Sequence, residues 1–120
     1  MDITKEIETH RDELVELRRW FHMHPEPGFK EYKTAEKIAE YLTDLGLRVQ
    51  TGVAETGVVA LLEGSQNGPT LLIRSDMDAL PIDESNELPF KSRHKGMMHA
   101  CGHDAHMAML LVAARILKDL

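Results

Sequence analysis

The sequence predicts an α/β domain in which helices flank a short mixed sheet. Apolar residues recur at helical spacing towards both ends of the chain, whereas short strand-like apolar runs occupy its middle. The chain has 120 residues, of which 42% are hydrophobic and 28% charged, as is usual for one globular domain. Helices and a sheet of this size are expected to pack as layers around one core.

The first half of the chain is expected to contain two helices. Residues 2–22 combine charged residues with an apolar stripe formed by Ile3, Ile7, Leu14, Leu17 and Phe21. Two prolines and a glycine within residues 25–28 end this helix. A second helix is predicted over residues 32–45, with Gly46 placed to end it.

Strands are predicted where the apolar period changes. Residues 47–53 alternate, residues 57–63 form a short apolar run, and residues 70–75 (TLLIRS) indicate a third, buried strand. A long loop is expected over residues 76–102. The last helix is predicted over residues 104–120.

Charge and composition limit the expected partners and location. The net charge of −6 argues against nucleic acid, because phosphate binding needs a clustered positive surface. No apolar run is long enough to span a bilayer, so no membrane partner is expected. The N-terminus is charged without an apolar leader, and the single cysteine cannot form an internal disulfide. The expected location is therefore the cytoplasm.

Two aspartates follow the predicted third strand. Asp76 and Asp78 stand two residues apart at the end of an apolar run, where sites gather in open α/β sheets. Such a pair can bind a metal or orient a histidine ligand. The alternative is turn chemistry, since aspartate is common in loops and bonds to its own backbone.

A second cluster lies just before the last helix, in GMMHACGHDAH (96–106). His99, Cys101 and His103 are spaced by two, so in an extended segment their side chains point the same way. Imidazole and thiolate are good ligands for zinc-like metals. Past Gly102, which permits a sharp backbone change, His103 and His106 share a helix face.

Two other interpretations of this cluster remain open. His103 and Asp104 can simply begin a helix, where an acidic residue is favourable. Cys101 beside two histidines can also act as a nucleophile. Several converging donors favour a metal, because a nucleophile needs only one oriented base.

These motifs resemble the amidohydrolase branch of the M20 metallopeptidase family, which includes hippurate hydrolases and N-acyl-amino-acid amidohydrolases. The resemblance is carried by MHACGHDAH (98–106) and RSDMDALPI (74–82), in that order. It extends to RRWFHMHPEPGFKEYKTA (18–35) and LPFKS (88–92). In the opening motif, His22 and His24 are expected to shape the core or the pocket wall.

The resemblance implies a zinc-peptidase-like catalytic domain with αβα layers and two divalent metals (Zn, Mn, Co or Ni). Cys101 and His103 match metal ligands, with His103 in the bridging position. Asp78 matches a supporting aspartate, and Asp76 stands where the wider family has a histidine. Three further motif residues are expected as neighbours of the site: His99, Asp104 and His106. The implied reaction is metal-assisted hydrolysis of the amide bond of N-acyl amino acids.

Family members are far longer than this chain. The resemblance therefore implies that residues 1–120 are the N-terminal part of a catalytic domain. The inserted dimerisation domain and the C-terminal part, with the general-base glutamate and the remaining ligands, would lie elsewhere. The isolated chain is expected to be inactive and to self-associate through uncovered apolar surface, and the complete enzyme is expected to be a homo-oligomer. The alternatives are a non-catalytic metal-binding or interaction module and, less favoured, a Cys101-dependent hydrolase.

Overall fold

The computed structural model describes all 120 residues and contains four helices and a two-stranded sheet. The elements in chain order are α1 (Ile3–Thr9), α2 (Arg11–Met23), α3 (Tyr32–Asp44), β1 (Arg48–Val53), β2 (Gly57–Leu61) and α4 (His103–Lys118). The predicted α/β class is confirmed.

The predicted first helix is two helices. The break lies at His10, whose backbone N–H bonds to the carbonyl oxygens of both Glu6 and Ile7, as at a helix end. Two acidic residues, Asp12 and Glu13, then occupy the first turn of α2, where they favour a new helix start. An uninterrupted helix over residues 2–22 was therefore a wrong prediction, although the helical character of the segment was correct.

The sheet is an antiparallel hairpin, not the expected mixed sheet. Val49 faces Ala60 and Gln50 faces Val59 across the pair. Val49 and Ala60 point inward, and both strands pack against α3. Val59 lies on the opposite face and is 51% exposed. The hairpin therefore closes one side of the core and leaves its other face open.

The predicted third strand does not form. No backbone–backbone hydrogen bond involves residues 70–75, and Leu71 and Leu72 are 80% and 86% exposed. A strand is stabilised by pairing with a neighbour, and these residues have none within this chain. Residues 70–75 are apolar as the sequence shows, but the prediction that they form a buried strand was wrong.

The hydrophobic core lies where α2, α3 and α4 meet. Phe21 of α2 and Ala108 of α4 are fully buried, and Leu111 is 1% exposed. Its other members are Leu17, Ile38, Leu42, Leu45, Met107 and Val112. The core therefore fixes α4, whose first residue is His103, against α2. None of the helices has the length and apolarity needed to cross a membrane.

Candidate metal centre

The backbone turns sharply just before His103. Gly102 has a φ of +97°, a left-handed conformation that residues with a side chain rarely adopt. This glycine separates the irregular segment carrying Cys101 from helix α4. The predicted backbone change at Gly102 is therefore confirmed, and it places His103 at the first position of the helix.

The two-aspartate segment is held beside this turn by backbone hydrogen bonds. Ala79 N–H donates to the carbonyl oxygen of Glu26 at 2.8 Å. Leu80 and Met98 exchange two backbone hydrogen bonds, of 2.9 and 3.0 Å. The segment after residue 75 and the segment before Cys101 thus lie side by side, which brings Asp78 to His103.

The ring of His103 is oriented by Asp78. Its Nδ1 lies 2.8 Å from the Asp78 carbonyl oxygen and 3.1 Å from Asp78 Oδ1. Because a carbonyl oxygen only accepts, Nδ1 must carry a proton and donate it. In the neutral ring the lone pair then lies on Nε2, the arrangement that carboxylate and carbonyl partners impose on metal-binding histidines.

The free Nε2 of His103 faces a carboxylate. It lies 3.8 Å from Asp76 Oδ2, while the other oxygen of Asp76 accepts from Arg74 at 2.5 Å. Metal–ligand bonds are about 2 Å, so two ligands of one tetrahedral ion lie about 3.3 Å apart and this pair is more widely spaced than that. An imidazole nitrogen and a carboxylate oxygen are nevertheless ligands that zinc-like cations accept. The chemistry of these two donors therefore fits such a cation.

The remaining predicted donors are not brought together with this pair. No three His, Cys, Asp or Glu side chains are arranged to hold a metal ion. Cys101 is a free, exposed thiol. His106 is exposed on α4, with its ring centroid 6.0 Å from that of His103. The structure thus contains an oriented histidine and a facing carboxylate, not a closed ligand shell.

His99 is buried rather than displayed towards a ligand. His99 is only 4% exposed, and neither of its ring nitrogens has a hydrogen-bond partner. Burial lowers its pKa from 6.5 to about 4, because the charged ring cannot be hydrated there. Neutral imidazole is therefore its state near neutral pH.

A buried polar cluster behind His103 was missed by the sequence analysis. Asp104 is 1% exposed, and its Oδ2 accepts from Arg18 Nε at 2.9 Å and from His22 Nδ1 at 2.8 Å. The other ring nitrogen of His22 lies 3.0 Å from both carboxylate oxygens of Glu84. We call Arg18, His22, Glu84 and Asp104 the buried quartet. His22 is buried, as expected, but its two carboxylate partners were not predicted.

Glu84 ties the long loop to this quartet. Burial raises its pKa, but hydrogen bonds from His22, from Ser92 N–H and from Asn86 outweigh that effect, so its pKa is lowered. Phe90 packs against the same place, with the guanidinium carbon of Arg18 at 5.3 Å from its ring centroid. The loop over residues 84–92 is therefore anchored to α2.

Comparison with known proteins shows which family these features resemble. Residues 72–120 match the model of peptidase family M20/M25/M40. The chain is 49% identical over 120 residues to thermostable carboxypeptidase 1 of Saccharolobus solfataricus, covering 97% of this chain and 30% of that protein. It is 43% identical over 119 residues to the N-acyl-L-amino acid amidohydrolase of Geobacillus stearothermophilus, covering 99% of this chain and 32% of that protein.

A solved structure agrees in fold. The Bacillus subtilis YXEP protein, described as a dinuclear metal binding peptidase from the M20 family, superposes with a TM-score of 0.88 at 40% identity. The match covers 93% of this chain and 32% of that one. The resemblance of this chain to the M20 peptidase family is thereby confirmed. The chain spans about 30% of the length of the curated relatives it matches.

Proposed function

We propose that this chain supplies the N-terminal, metal-binding part of a metal-dependent amidohydrolase that acts on N-acyl amino acids. The observation that carries the proposal is the orientation of His103. Its Nδ1 is held by Asp78 and its Nε2 faces Asp76. A histidine fixed through one nitrogen, with the other free beside a carboxylate, is typical of a metal ligand.

The substrate class follows from what the relatives are named for. An N-acyl-amino-acid amidohydrolase and a carboxypeptidase both cleave an amide whose nitrogen belongs to an amino acid with a free carboxylate. The common substrate is thus a small molecule with an acyl group on one side of the amide and a carboxylate on the other.

We assign the residues of this chain as follows. Cys101 and His103 would hold the metals, of which the complete enzyme would have two, and Asp78 would support His103. Bound divalent metals supply an activated water and polarise the amide carbonyl. Asp76, His99, Asp104 and His106 would be neighbours of the site. The general-base glutamate would lie outside residues 1–120, and these residues would form a partial catalytic domain that is inactive alone.

Location and assembly are proposed with the function. A cytoplasmic location accords with a single free cysteine. A homo-oligomer is proposed for the complete enzyme. For the 120-residue chain, self-association is proposed through the exposed Leu71, Leu72 and Ile73.

The proposal is tested by a chimera. The matching 32% of the Geobacillus amidohydrolase is replaced by this chain, and hydrolysis of an N-acetyl amino acid is measured with Zn²⁺ or Co²⁺. We expect turnover by the chimera and none by the 120-residue chain alone. In the chimera, Cys101→Ala and His103→Ala should lower kcat/KM by about 100-fold or more. The control His94→Gln, an exposed residue of the same loop, should retain activity.

The alternatives predict different outcomes of the same assay. A metal-binding module would bind metal but give a folded chimera without turnover. A Cys101-dependent hydrolase would keep its activity in a chelator and lose it on alkylation. Loss of activity in the chelator, with recovery when metal is restored, favours the proposed reaction. The hydrogen bonds of His103 go to Asp78, not to the neighbouring thiol, which also favours a metal over a nucleophile.

A further inference from the structure

The start of helix α4 is held by α2 and not by its own cap. The residue before the helix is Gly102, which has no side chain, and no side chain caps the first turn. Asp104 instead points into the interior, where its Oδ2 receives Arg18 Nε and His22 Nδ1. Besides the core contacts that begin at Met107 and Ala108, this first turn is therefore held by hydrogen bonds from another helix.

We propose that His22 is a positioning residue for the metal centre. Through Asp104 it fixes the first turn of α4, and thereby keeps the neighbouring His103 with Nδ1 on Asp78 and Nε2 free. The proposal rests on the proposed function only in treating the free Nε2 as a metal donor. The positioning itself is a property of the metal-free chain.

His22 is suited to this task because it is held on both sides. Its side chain is 3% exposed, and those of Glu84 and Asp104 are 1% and 2% exposed. Glu84 also accepts from Ser92 N–H at 2.8 Å, so it is fixed independently of His22. The ring thus joins two buried, hydrogen-bonded carboxylates, and such a buried network is more strongly coupled than a single exposed ion pair.

The second donor to Asp104 is more exposed than His22. The Arg18 side chain is 38% exposed, and its guanidinium also lies against Phe90. A long, partly solvated side chain holds its partner less firmly than a buried ring. We therefore assign the orientation of Asp104 mainly to His22 Nδ1.

The two ring nitrogens can be tested separately. The amide nitrogen of asparagine can occupy the place of Nδ1, and that of glutamine the place of Nε2. His22→Asn therefore keeps the donor to Asp104 and loses the donor to Glu84. His22→Gln does the reverse. Both variants remove the ring and bury an amide, so they form a matched pair.

The readout is the tautomer of His103, observed by two-bond ¹H–¹⁵N NMR on the metal-free 120-residue chain. Spectra are recorded at about pH 8, above the usual titration range of histidine. We expect Nδ1–H in the native chain and in His22→Asn, and loss of the dominant Nδ1–H signal in His22→Gln. As a second readout, the Co²⁺ dissociation constant should rise ~10-fold in His22→Gln relative to His22→Asn.

Three results would overturn the proposal. An Nε2–H tautomer of His103 in the native chain contradicts it without any variant. Equal retention of the tautomer in both variants shows that Asp104 needs no donor from His22. Equal loss, including failure of both to fold by circular dichroism, shows a general structural role. If the chimera is inactive but the tautomers of His103 follow the expected pattern, the proposed function is contradicted and the positioning role of His22 is still supported.

Discussion

The two sides of the candidate metal centre differ in how they are held. On the helix side, Asp104 and His22 are buried and hydrogen-bond to each other, and the second ring nitrogen of His22 contacts Glu84. On the opposite side, which we call the strand-end side because it follows the predicted third strand, the side chains of Asp76 and Asp78 are 42% and 43% exposed. The residues that precede them, 70–75, have no backbone partner.

This difference shows that burial follows from available packing partners more than from apolar character. Leu111 and Leu72 are the same residue type, and both lie in apolar stretches, yet one is 1% and the other 86% exposed. The helix side is completed by α2, α3 and α4. The strand-end side has apolar residues but nothing in the chain to pair with them.

The largest effect on the free energy of unfolding is expected from a matched pair of leucine truncations, one on each side. Leu111→Ala should lower the free energy of unfolding by about 2–5 kcal/mol, because it removes buried contacts and leaves a cavity. Leu72→Ala should change it by less than about 0.5 kcal/mol, since the side chain is already in water. Urea unfolding of both variants measures the difference. Similar losses would show that residues 70–75 are buried in solution, for instance by self-association.

The second test uses the buried His99. Its pKa is lowered from 6.5 to about 4 in the folded chain. Between pH 4 and pH 6.5 the unfolded chain therefore binds more protons than the folded chain does. The contribution of the neutral His99 ring to the free energy of unfolding is fully present above pH 6.5 and is lost as the pH falls towards 4. From about pH 7 to about pH 5 the loss should be on the order of 2 kcal/mol in buffer with chelator.

The control for this pH dependence is a histidine that stays in water. His99→Leu should flatten the slope of unfolding free energy against pH, because the group that titrates differently is gone. His94→Gln, which alters an exposed residue, should keep the slope of the native chain. An unchanged slope in His99→Leu would show that the ring is hydrated or partnered in solution.

The smallest effect is expected at the turn between the two sides. Gly102→Ala should cost roughly 1–2 kcal/mol, because the left-handed conformation strains any residue with a Cβ. An added Cβ would lie 3.8 Å from His106 Nε2, so the cost comes from the backbone and not from a clash. Gly68→Ala, with nothing within 4 Å, is the matched control and should be neutral or slightly stabilising. Equal stability of the two variants in urea would contradict the assigned backbone.

Features that depend on neighbouring residues were predictable from the sequence. The α3 helix was predicted over residues 32–45 and ends at Asp44, because its apolar stripe and Gly46 are local signals. Gly102 was likewise identified from its place before a helical pattern. The family resemblance implied a supporting role for Asp78 without naming its partner, and the structure places its carbonyl and carboxylate oxygens beside His103 Nδ1.

Features that depend on distant residues were not predictable. His22 bonds to residues 82 and 62 positions further along the chain, and no sequence pattern links such positions. The break at His10 depends on how α1 and α2 end and begin, although acidic residues at positions 12 and 13 were a visible signal. The third strand failed because apolar character measures a preference for burial, whereas a strand also requires a partner.

The hydrogen bond from His103 to the carbonyl oxygen of Asp78 has a consequence for how this centre can vary. A backbone carbonyl is present whatever the side chain, so most substitutions at position 78 would leave this acceptor in place. Alanine scanning would therefore report only what the Asp78 carboxylate adds. The proton on Nδ1 is therefore insensitive to most substitutions at position 78 itself. A genetic screen would have to displace the backbone segment 78–80, which hydrogen-bonds to Glu26 and Met98, or the first turn of α4.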